Sequence, residues 1–205
     1  IIGNNGAGKS TFSRCFCGLE KRCGEVIWNG RTYRPKDRLN TCYMVMQEVN
    51  HQLFTETVLD EVLISMEEEN QEQAEEILAK LDLTGFKDRH PMSLSGGQKQ
   101  RLSLARALAD NPSILIMDDT TSAVDMETEA EIQRHLRDLD EKKTIVTIAH
   151  RISSVKDSDL ILVLEHGRIV ERGTHDELVA SHGRYWQIYS KQLGVDAGRS
   201  QGFEA

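Results

Sequence analysis

The sequence predicts an α/β protein with an open, mostly parallel β-sheet that helices cover on both faces. Two observations support this fold class: short apolar runs that suit buried strands, and helical periodicity between those runs. Strands that alternate with helices pair in parallel, because each crossover helix returns the chain across one face of the sheet. With 205 residues and 39% hydrophobic content, the chain is long enough to bury a substantial core.

The predicted strands are short and mostly apolar. They lie in a stub at residues 1–2 and in the segments TCYMVMQ, SILIM, TIVTIA and LILVL. Two hairpins are also predicted, because turn residues interrupt apolar runs at Asn29-Gly30 in EVIWNGRTY and at Gly167 before RIVERG.

Helical patterns connect these strands. They cover residues 9–19, 57–82, 95–109, the region around 132–139, 174–181 and 185–193. In the second of them, apolar residues recur at i, i+3, i+4 and i+7, and the acidic run 66–76 is interpreted as its solvated face. Thr174 is the expected N-cap of the helix that follows it.

Composition excludes several classes of protein. The net charge of −8 argues against a general nucleic-acid-binding protein, which carries a basic face. The longest apolar runs reach about five residues, whereas a membrane-spanning helix needs about twenty. The cysteines have no CxxC spacing, so we interpret all four as reduced structural thiols: Cys15, Cys17, Cys23 and Cys42.

Residues 3–10 match the pattern G-x-x-x-x-G-K-[ST], between a strand stub and a predicted helix. Glycines let such a loop curl, so that successive backbone N–H groups converge on phosphate oxygens at the positive end of the helix. Lys9 then reaches the outer phosphates, and the hydroxyl of Ser10 suits Mg²⁺. The loop therefore predicts a binding site for a nucleoside triphosphate.

Two carboxylates follow the buried strand SILIM. Asp118 is expected at the carboxyl edge of the sheet, where open α/β folds bind ligands. We interpret it as a ligand of Mg²⁺, either directly or through water. Asp119 is expected near the water molecule that attacks the terminal phosphate.

The segment LSGGQKQRLSLARAL predicts the start of a helix, with Ser95 and Gln98 as a capping box. Gly96 and Gly97 leave the first helical turn bare, so that a phosphate can approach its N–H groups. Together with the phosphate loop, this segment resembles the ATP-binding cassette (ABC) ATPases, the motor subunits of ABC transporters. The resemblance covers residues 1 to about 193 and rests on five motifs in the family's order.

The resemblance implies an α/β P-loop NTPase three-layer fold, a mostly parallel sheet flanked by helices, for an ABC ATPase domain at residues 1–195. A helical subdomain is expected at about 51–109, inserted in the α/β core, and a disordered tail at 196–205. Family members begin further upstream, and this chain starts without methionine. We therefore expect a domain truncated at its N-terminus, without the aromatic residue that stacks on adenine in the family.

The resemblance also implies the site residues, with ATP and Mg²⁺ between the phosphate loop of one cassette and the LSGGQ segment of another. The expected ATP contacts are Gly3, Asn4, Asn5, Gly6, Ala7, Gly8, Lys9, Ser10 and Thr11 in the loop, Ser95, Gly96, Gly97 and Gln98 in the signature segment, and Asp125 in the dimer-contacting segment 122–125. The expected magnesium ligands are Ser10, Gln47 and Asp118, and the expected catalytic residues are Lys9, Gln47, Asp119 and His150. The other six histidines are interpreted as surface residues.

Cassettes of this family close head to tail in pairs. The resemblance therefore implies a second ABC ATPase subunit, identical or different, and a transmembrane subunit or domain. The chain would reach the cytoplasmic face of the cell membrane only through that partner, and it would bind no nucleic acid. In this role, ATP hydrolysis powers the transport of a substrate across the membrane.

Two departures from the family pattern affect this interpretation. The family usually has glutamate directly after the magnesium aspartate, whereas this chain has Asp119, which is one methylene shorter. Misplacing a catalytic group by about 1 Å can cost about 10²-fold in rate, so we expect slow hydrolysis at this chain's own phosphate loop.

The second departure is a difference between the two halves of the chain. The sequence before QKQRLSLARAL resembles the importer cassettes of energy-coupling-factor transporters, and the sequence after it resembles exporter cassettes. Natural recombination and a false join between two sequences both produce this pattern. The first half predicts that the helical region docks an importer-style coupling helix.

Two alternative functions stay open. One is a soluble ABC ATPase that acts on DNA or ribosomes, although chromosome-type members carry a very long coiled coil after Gln47 and ribosome-type members carry two cassettes in tandem. The other is a non-hydrolysing ATP-gated clamp, which Asp119 favours.

Overall fold

A computed structural model of the chain describes most of its residues. The described ranges are 1–20, 23–28, 30–46, 48–118, 134 and 143–194. The predicted tail at 196–205 and, apart from Arg134, the predicted helix around 132–139 lie outside these ranges.

The chain divides into two compact units. The terminal unit consists of residues 1–12 and 148–205, and the central unit consists of residues 13–147. The limits expected for the ATPase domain and for its helical subdomain stay predictions.

Helix α1 (Lys9–Cys17) ends where the sequence predicts, before Gly18. Gly18 has a φ of +84°, the left-handed conformation that closes many helices and favours glycine. A Cβ atom at this position would lie 2.3 Å from the carbonyl oxygen of Pro35, so a larger residue does not fit.

A hairpin follows α1 in the central unit. β1 (Val26–Trp28) and β2 (Arg31–Tyr33) pair antiparallel, as predicted. Gly30, in the short connection between them, has a φ of +74°, which two-residue hairpin turns require. The next element is α2 (Pro35–Leu39).

The central unit contains a three-stranded sheet. β3 (Cys42–Val45), β4 (Ile114–Asp118) and β5 (Thr144–Ile148) lie side by side in that order, and β3 and β4 are parallel. After its first residue, β4 is buried throughout, as its apolar sequence predicts. Asp118 is the last residue of β4, so it lies at the carboxyl end of the strand.

The prediction of one helix over residues 57–82 is wrong. The structure has two helices here, α3 (Val58–Leu63) and α4 (Gln71–Lys80). Each has its own N-cap, since the side chains of Thr57 and Asn70 each accept a backbone N–H three residues ahead. The polar run 67–73 marks the break in the sequence, but the prediction interpreted it as the solvated face of one helix.

The predicted third helix is confirmed as α5 (Gly96–Ala109). Short 3₁₀ turns at Val49–Gln52, Thr84–Phe86 and Pro91–Ser93 connect the elements around it. The helices α3, α4 and α5 share one apolar cluster, whose members include Val58, Val62, Ala74, Leu78, Leu102 and Ala105.

A buried ion pair joins α3 to α5. Glu61 has no exposed surface, and one of its carboxylate oxygens accepts the backbone N–H groups of Phe54 and Thr55. Its other oxygen lies 3.4 Å from Nη1 of Arg106, whose Nε donates to Ser65 Oγ at 3.1 Å. Because buried charges are stable only with such partners, this pair fixes how α3 lies on α5.

The terminal unit is built on a second hairpin. β6 (Ile161–Glu165) and β7 (Arg168–Gly173) pair antiparallel, as predicted. Ile2 forms a parallel bridge to Val163 of β6. The stub at the start of the chain is therefore a strand residue beside β6.

Two helices pack against this hairpin. α6 (His175–Ala180) begins after Thr174, whose side chain accepts the N–H of Glu177, so the predicted N-cap is confirmed. α7 (Arg184–Leu193) follows, and apolar residues of both helices enter the core of the terminal unit.

The prediction that every histidine except His150 is a surface residue is wrong for His175. His175 is half-buried, and its Nδ1 lies 2.7 Å from the hydroxyl oxygen of Tyr185. Tyr185 has no exposed surface, and burial raises its pKa to about 12. The contact joins α6 to α7, so the pattern of either helix alone does not predict it.

Among the described residues, no helix combines the length and the apolar character needed to span a bilayer. The four cysteines form no disulfide. Within the described ranges, His, Cys, Asp and Glu side chains do not cluster as a metal site by themselves.

Candidate nucleotide-binding site

The glycine-rich segment 3–8 forms a loop between Ile2 and α1. Ile2 is held as a strand residue, since its N–H donates to the carbonyl of Leu162 at 2.9 Å and its own carbonyl accepts the N–H of Leu164 at 2.8 Å. The chain therefore leaves a strand and turns directly into a helix, which is the context that the phosphate-loop pattern requires.

A close backbone contact at Gly3 and positive φ values at Gly6 and Gly8 explain why the loop contains glycine. A Cβ atom at Gly3 would lie 2.3 Å from the carbonyl oxygen of Leu164, and one at Gly8 would lie 3.4 Å from Cα of Gly167. Gly6 and Gly8 also have φ values of +77° and +96°, which side chains disfavour. Each glycine of the loop thus meets a steric or conformational requirement of the terminal unit itself.

Lys9 lies inside the curl of the loop. Its side chain is 6% exposed, and its ammonium group donates to the carbonyl oxygens of Gly3 at 2.8 Å and Asn4 at 3.1 Å. Burial of a positive charge at the N-terminus of α1 adds to the positive end of the helix dipole. The loop is therefore a site of positive potential that favours an anion.

The other predicted loop residues differ in exposure. Ala7 is buried, and its carbonyl accepts the N–H of Gly167 at 2.8 Å, which holds the loop against the hairpin. The exposed residues are Asn4, Asn5, Gly6, Ser10 and Thr11. Their exposure leaves them accessible to a ligand from solvent.

His150, one of the predicted catalytic residues, belongs to the same unit as the loop. It is exposed and follows β5 closely. The N–H of Ala149 donates to the carbonyl of Ile1 at 3.0 Å. The residue before His150 therefore lies beside the strand stub that precedes the loop.

Sequence reasoning missed one residue beside His150. Gln192 of α7 donates from Nε2 to the carbonyl of His150 at 2.7 Å. In the sequence, Gln192 is one of several polar residues on an amphipathic helix, so no local signal distinguishes it.

Asp118 and the signature segment belong to the central unit. Asp118 is 6% exposed at the carboxyl end of β4. A buried carboxylate at this end of a parallel strand has the position and the oxygen ligands that suit Mg²⁺ in α/β folds.

The signature segment forms the predicted capping box at the start of α5. Ser95 Oγ accepts the N–H of Gln98 at 3.3 Å, and Gln98 Oε1 accepts the N–H of Ser95 at 2.9 Å. Leu94 is buried, whereas Ser95 and Gly96 are exposed. Apart from its chain neighbours and the backbone of its own helix, no described atom lies within 4 Å of a Cβ built at Gly96, so packing against other described segments does not require glycine there.

Three predicted site residues, Gln47, Asp119 and Asp125, lie outside the described residues, and their roles stay predictions. The described residues fit ATP and Mg²⁺ chemically. The ammonium of Lys9 and the loop amides suit phosphate oxygens, and the hydroxyl of Ser10 and the carboxylate of Asp118 suit the metal ion.

Known proteins are similar to this chain over most of its length. The family model described as ABC transporter matches residues 1–122. A Treponema denticola protein named as an ABC transporter ATP-binding protein is 41% identical over 174 residues, which cover 83% of this chain and 36% of that protein. An ATP-dependent lipid A-core flippase of Salmonella typhimurium is 38% identical over an alignment of 212 positions, which covers 95% of this chain and 36% of the flippase.

A solved structure, that of a bacterial Atm1-family ABC exporter with ATP bound, matches with a TM-score of 0.83 and 29% identity. The match covers 94% of this chain and 36% of the exporter chain, so the chain spans about a third of the length of these relatives. The predicted α/β P-loop NTPase fold and the predicted ABC resemblance are both confirmed. The chain belongs to the ABC transporter family, as an ATP-binding domain of that family.

Proposed function

We propose that this chain binds and hydrolyses ATP with Mg²⁺ and thereby powers transport of a substrate across a membrane, together with a transmembrane partner. The observation that carries the proposal is the buried ammonium of Lys9 inside a glycine loop at the N-terminus of α1. A buried cation beside converging backbone amides binds polyphosphate strongly, because both attract the same oxygens.

In this proposal, the loop is organised before nucleotide arrives. Lys9 exchanges its hydrogen bonds to the carbonyls of Gly3 and Asn4 for bonds to the outer phosphates. A preorganised site lowers the entropic cost of binding. As charge shifts among the phosphate oxygens during hydrolysis, Lys9 and His150 stabilise it from fixed positions.

Ser10 and Asp118 would hold Mg²⁺, with Gln47 as the third predicted ligand. The ion, when bound, neutralises charge on the β- and γ-phosphates. The burial of Asp118 limits competition from water for its carboxylate. Asp119 would orient the attacking water.

The exposed start of α5 supports the participation of a second cassette. Its first turn carries an exposed glycine and no acidic residue, which suits a phosphate from another molecule. The proposed ligand is ATP held in the second cassette's phosphate loop, contacted by Ser95, Gly96, Gly97 and Gln98. Asp125 is predicted at the same interface.

The names of the relatives, a lipid A-core flippase and an ABC exporter, support a transmembrane partner. We propose that the chain works at the cytoplasmic face of the membrane, bound to that partner. The importer-like first half of the sequence supports docking of an importer-style coupling helix on the helical region. The direction of transport therefore stays open.

A non-hydrolysing ATP-gated clamp is the second candidate, because Asp119 replaces the usual glutamate. Such a clamp would close on ATP without cleaving it at its own loop. Single-turnover hydrolysis separates the two candidates. The transport engine converts bound ATP to ADP and phosphate in one binding event, whereas the clamp releases intact ATP.

The proposal is tested by replacing Lys9 in the 205-residue chain. Lys9→Ala and the volume-keeping Lys9→Met should each weaken ATP binding at least about tenfold, because they remove the charge that faces the outer phosphates. The affinity is measured by calorimetric titration with ATP and Mg²⁺.

Lys36→Ala is the matched control, since Lys36 is an exposed lysine of α2. It should bind ATP like the unmodified chain. Circular dichroism of each variant establishes that it is folded. Unchanged ATP affinity in folded Lys9→Met would refute nucleotide binding at this loop.

A further inference from the structure

The side chain of Gln192 makes two hydrogen bonds to the segment that follows β5. Its Nε2 donates to the carbonyl of His150 at 2.7 Å, and its Oε1 accepts the N–H of Ile152 at 2.9 Å. We call this pair of bonds the Gln192 bridge. One planar amide thus holds two backbone groups, so it restrains the orientation of the segment as well as its distance from α7.

We propose that Gln192 is a positioning residue that acts on hydrolysis through His150. The inference rests on the proposed function, in which His150 contacts the terminal phosphate. The backbone conformation at His150 determines the direction in which its imidazole side chain points. A displacement of a catalytic group by about 1 Å can cost about 10²-fold in rate, so a restraint at this point has leverage on catalysis.

The helix that carries Gln192 is itself fixed at its other end. The carboxylate of Glu171 accepts the N–H groups of Arg184 at 2.5 Å and Tyr185 at 2.8 Å. Arg184 also forms an ion pair with Glu165 at 2.9 Å. Because these carboxylates lie on β6 and β7, the first turn of α7 is attached to the hairpin.

Apolar packing holds the middle of the helix. Tyr185 is fully buried, and Ile188 and Tyr189 pack against the same core cluster. Ile152, which is only 4% exposed, belongs to that cluster too. The helix and the segment after His150 therefore share one core, and the Gln192 bridge sets their alignment at its edge.

The same hairpin supports the phosphate loop. The N–H of Gly167 donates to the carbonyl of Ala7 at 2.8 Å, and Gly3 approaches the backbone of Leu164. The β6–β7 hairpin thus holds the loop on one side and α7 on the other. The hairpin therefore connects two parts of the terminal unit: the loop that is proposed to bind the phosphates, and α7, whose Gln192 holds the backbone at His150.

Because Gln192 is exposed, a positioning role and a purely structural role predict different effects of its replacement on the free energy of unfolding. The residue is exposed, so its bonds compete with water and add little to the free energy of unfolding. Holding an exposed glutamine in one rotamer also costs side-chain entropy. We therefore expect its replacement to change catalysis more than stability.

The test compares Gln192→Leu with the unmodified 205-residue chain by release of labelled phosphate from ATP. Gln192→Leu should lower kcat about tenfold, because the restraint on His150 is lost. The KM for ATP should stay within about twofold, since Lys9 and the loop amides are unchanged. Gln192→Glu keeps the acceptor for Ile152 and loses the donor to His150, so its kcat should be intermediate.

Gln187→Leu is the matched control on the same helix. Gln187 is exposed, and its contact is with Arg184 Nη1 at 2.8 Å. This variant should keep the kcat of the unmodified chain. An equal loss of kcat in Gln187→Leu and Gln192→Leu would overturn the inference, because the loss would then reflect damage to α7.

A His150→Ala background provides the decisive readout. His150→Ala alone should lower turnover, and Gln192→Leu should cause no further loss in that background. An undiminished effect of Gln192→Leu in both backgrounds would overturn the positioning role and leave the proposed function standing. Unchanged turnover in His150→Ala alone would overturn the proposed role of His150, and the inference with it.

Discussion

The phosphate loop and the start of α5 both contain glycine, but they need it for different physical reasons. In the loop, a Cβ at Gly3 would lie 2.3 Å from the carbonyl oxygen of Leu164, and Gly6 and Gly8 have φ values of +77° and +96°. At Gly96, a Cβ would meet no described atom within 4 Å beyond its chain neighbours and the backbone of its own helix. Glycine in the loop satisfies the fold of the chain, whereas an open glycine at the start of α5 is suited to a ligand from outside.

The two regions share one electrostatic feature. The first turns of α1 and α5 contain no acidic residue. Acidic residues occur in the first turn of α2, α3, α4 and α6, and at α7 the carboxylate of Glu171 takes that place. Carboxylates stabilise helix N-termini by facing the positive end of the helix dipole. Because the first turns of α1 and α5 carry no carboxylate, the positive ends of these two helix dipoles suit a phosphate group.

The largest expected effect comes from Gly3→Ala. The new Cβ would overlap the carbonyl oxygen of Leu164, and backbone atoms cannot rotate away as a flexible side chain can. We expect the free energy of unfolding to fall by about 3 kcal/mol, the upper range for overpacking. Urea denaturation followed by circular dichroism measures this change.

Gly6→Ala is the matched variant in the same loop. A Cβ at Gly6 has open space, so only its φ of +77° opposes alanine, at a cost of about 1 kcal/mol. If Gly6→Ala destabilised the chain as much as Gly3→Ala, contact with the hairpin would not be the reason for glycine at position 3.

The next largest effect concerns the chain's own phosphate loop. Asp119→Glu should raise ATP turnover of the chain by up to about 10²-fold, because it returns the carboxylate to the reach that the family uses. Steady-state phosphate release measures the change, and Asp88→Glu is the control at an exposed aspartate of the central unit. Equal turnover before and after Asp119→Glu would remove the argument for a weakened site.

Local chemistry made much of the fold predictable. Gly18 ends α1 and Thr174 caps α6, because a left-handed residue or a side-chain acceptor works within a few residues of the backbone that it satisfies. The phosphate loop is predictable for the same reason. Lys9 donates to carbonyls five and six residues away, and the positive φ values of Gly6 and Gly8 belong to the loop itself.

Contacts between distant segments were not predictable. The Glu61–Arg106 pair and the Gln192 bridge each join residues about forty positions apart. The break between α3 and α4 is a different case, since local features mark it: the polar run 67–73 and the N-cap at Asn70. Periodicity reports which face is buried, and it carries no information about the partner.

The smallest expected effect is that of Gly96→Ala, and it tests the other half of the comparison. Alanine favours helix over glycine by up to about 1 kcal/mol, and the added methyl group has space in the central unit. The melting temperature should therefore stay the same or rise slightly. Turnover that needs two cassettes should fall about tenfold, because the methyl group holds a phosphate away from the first turn of α5.

Gly85→Ala provides the control for Gly96→Ala, since Gly85 also has open space and lies in a 3₁₀ turn of the same unit. It should change neither melting temperature nor turnover. Thermal melts and phosphate release at high chain concentration give both quantities for each variant. A large loss of stability in Gly96→Ala would mean that glycine serves the fold at α5 as it does in the loop. Full turnover in Gly96→Ala would mean that no phosphate approaches this helix end, because a methyl group there would otherwise obstruct it.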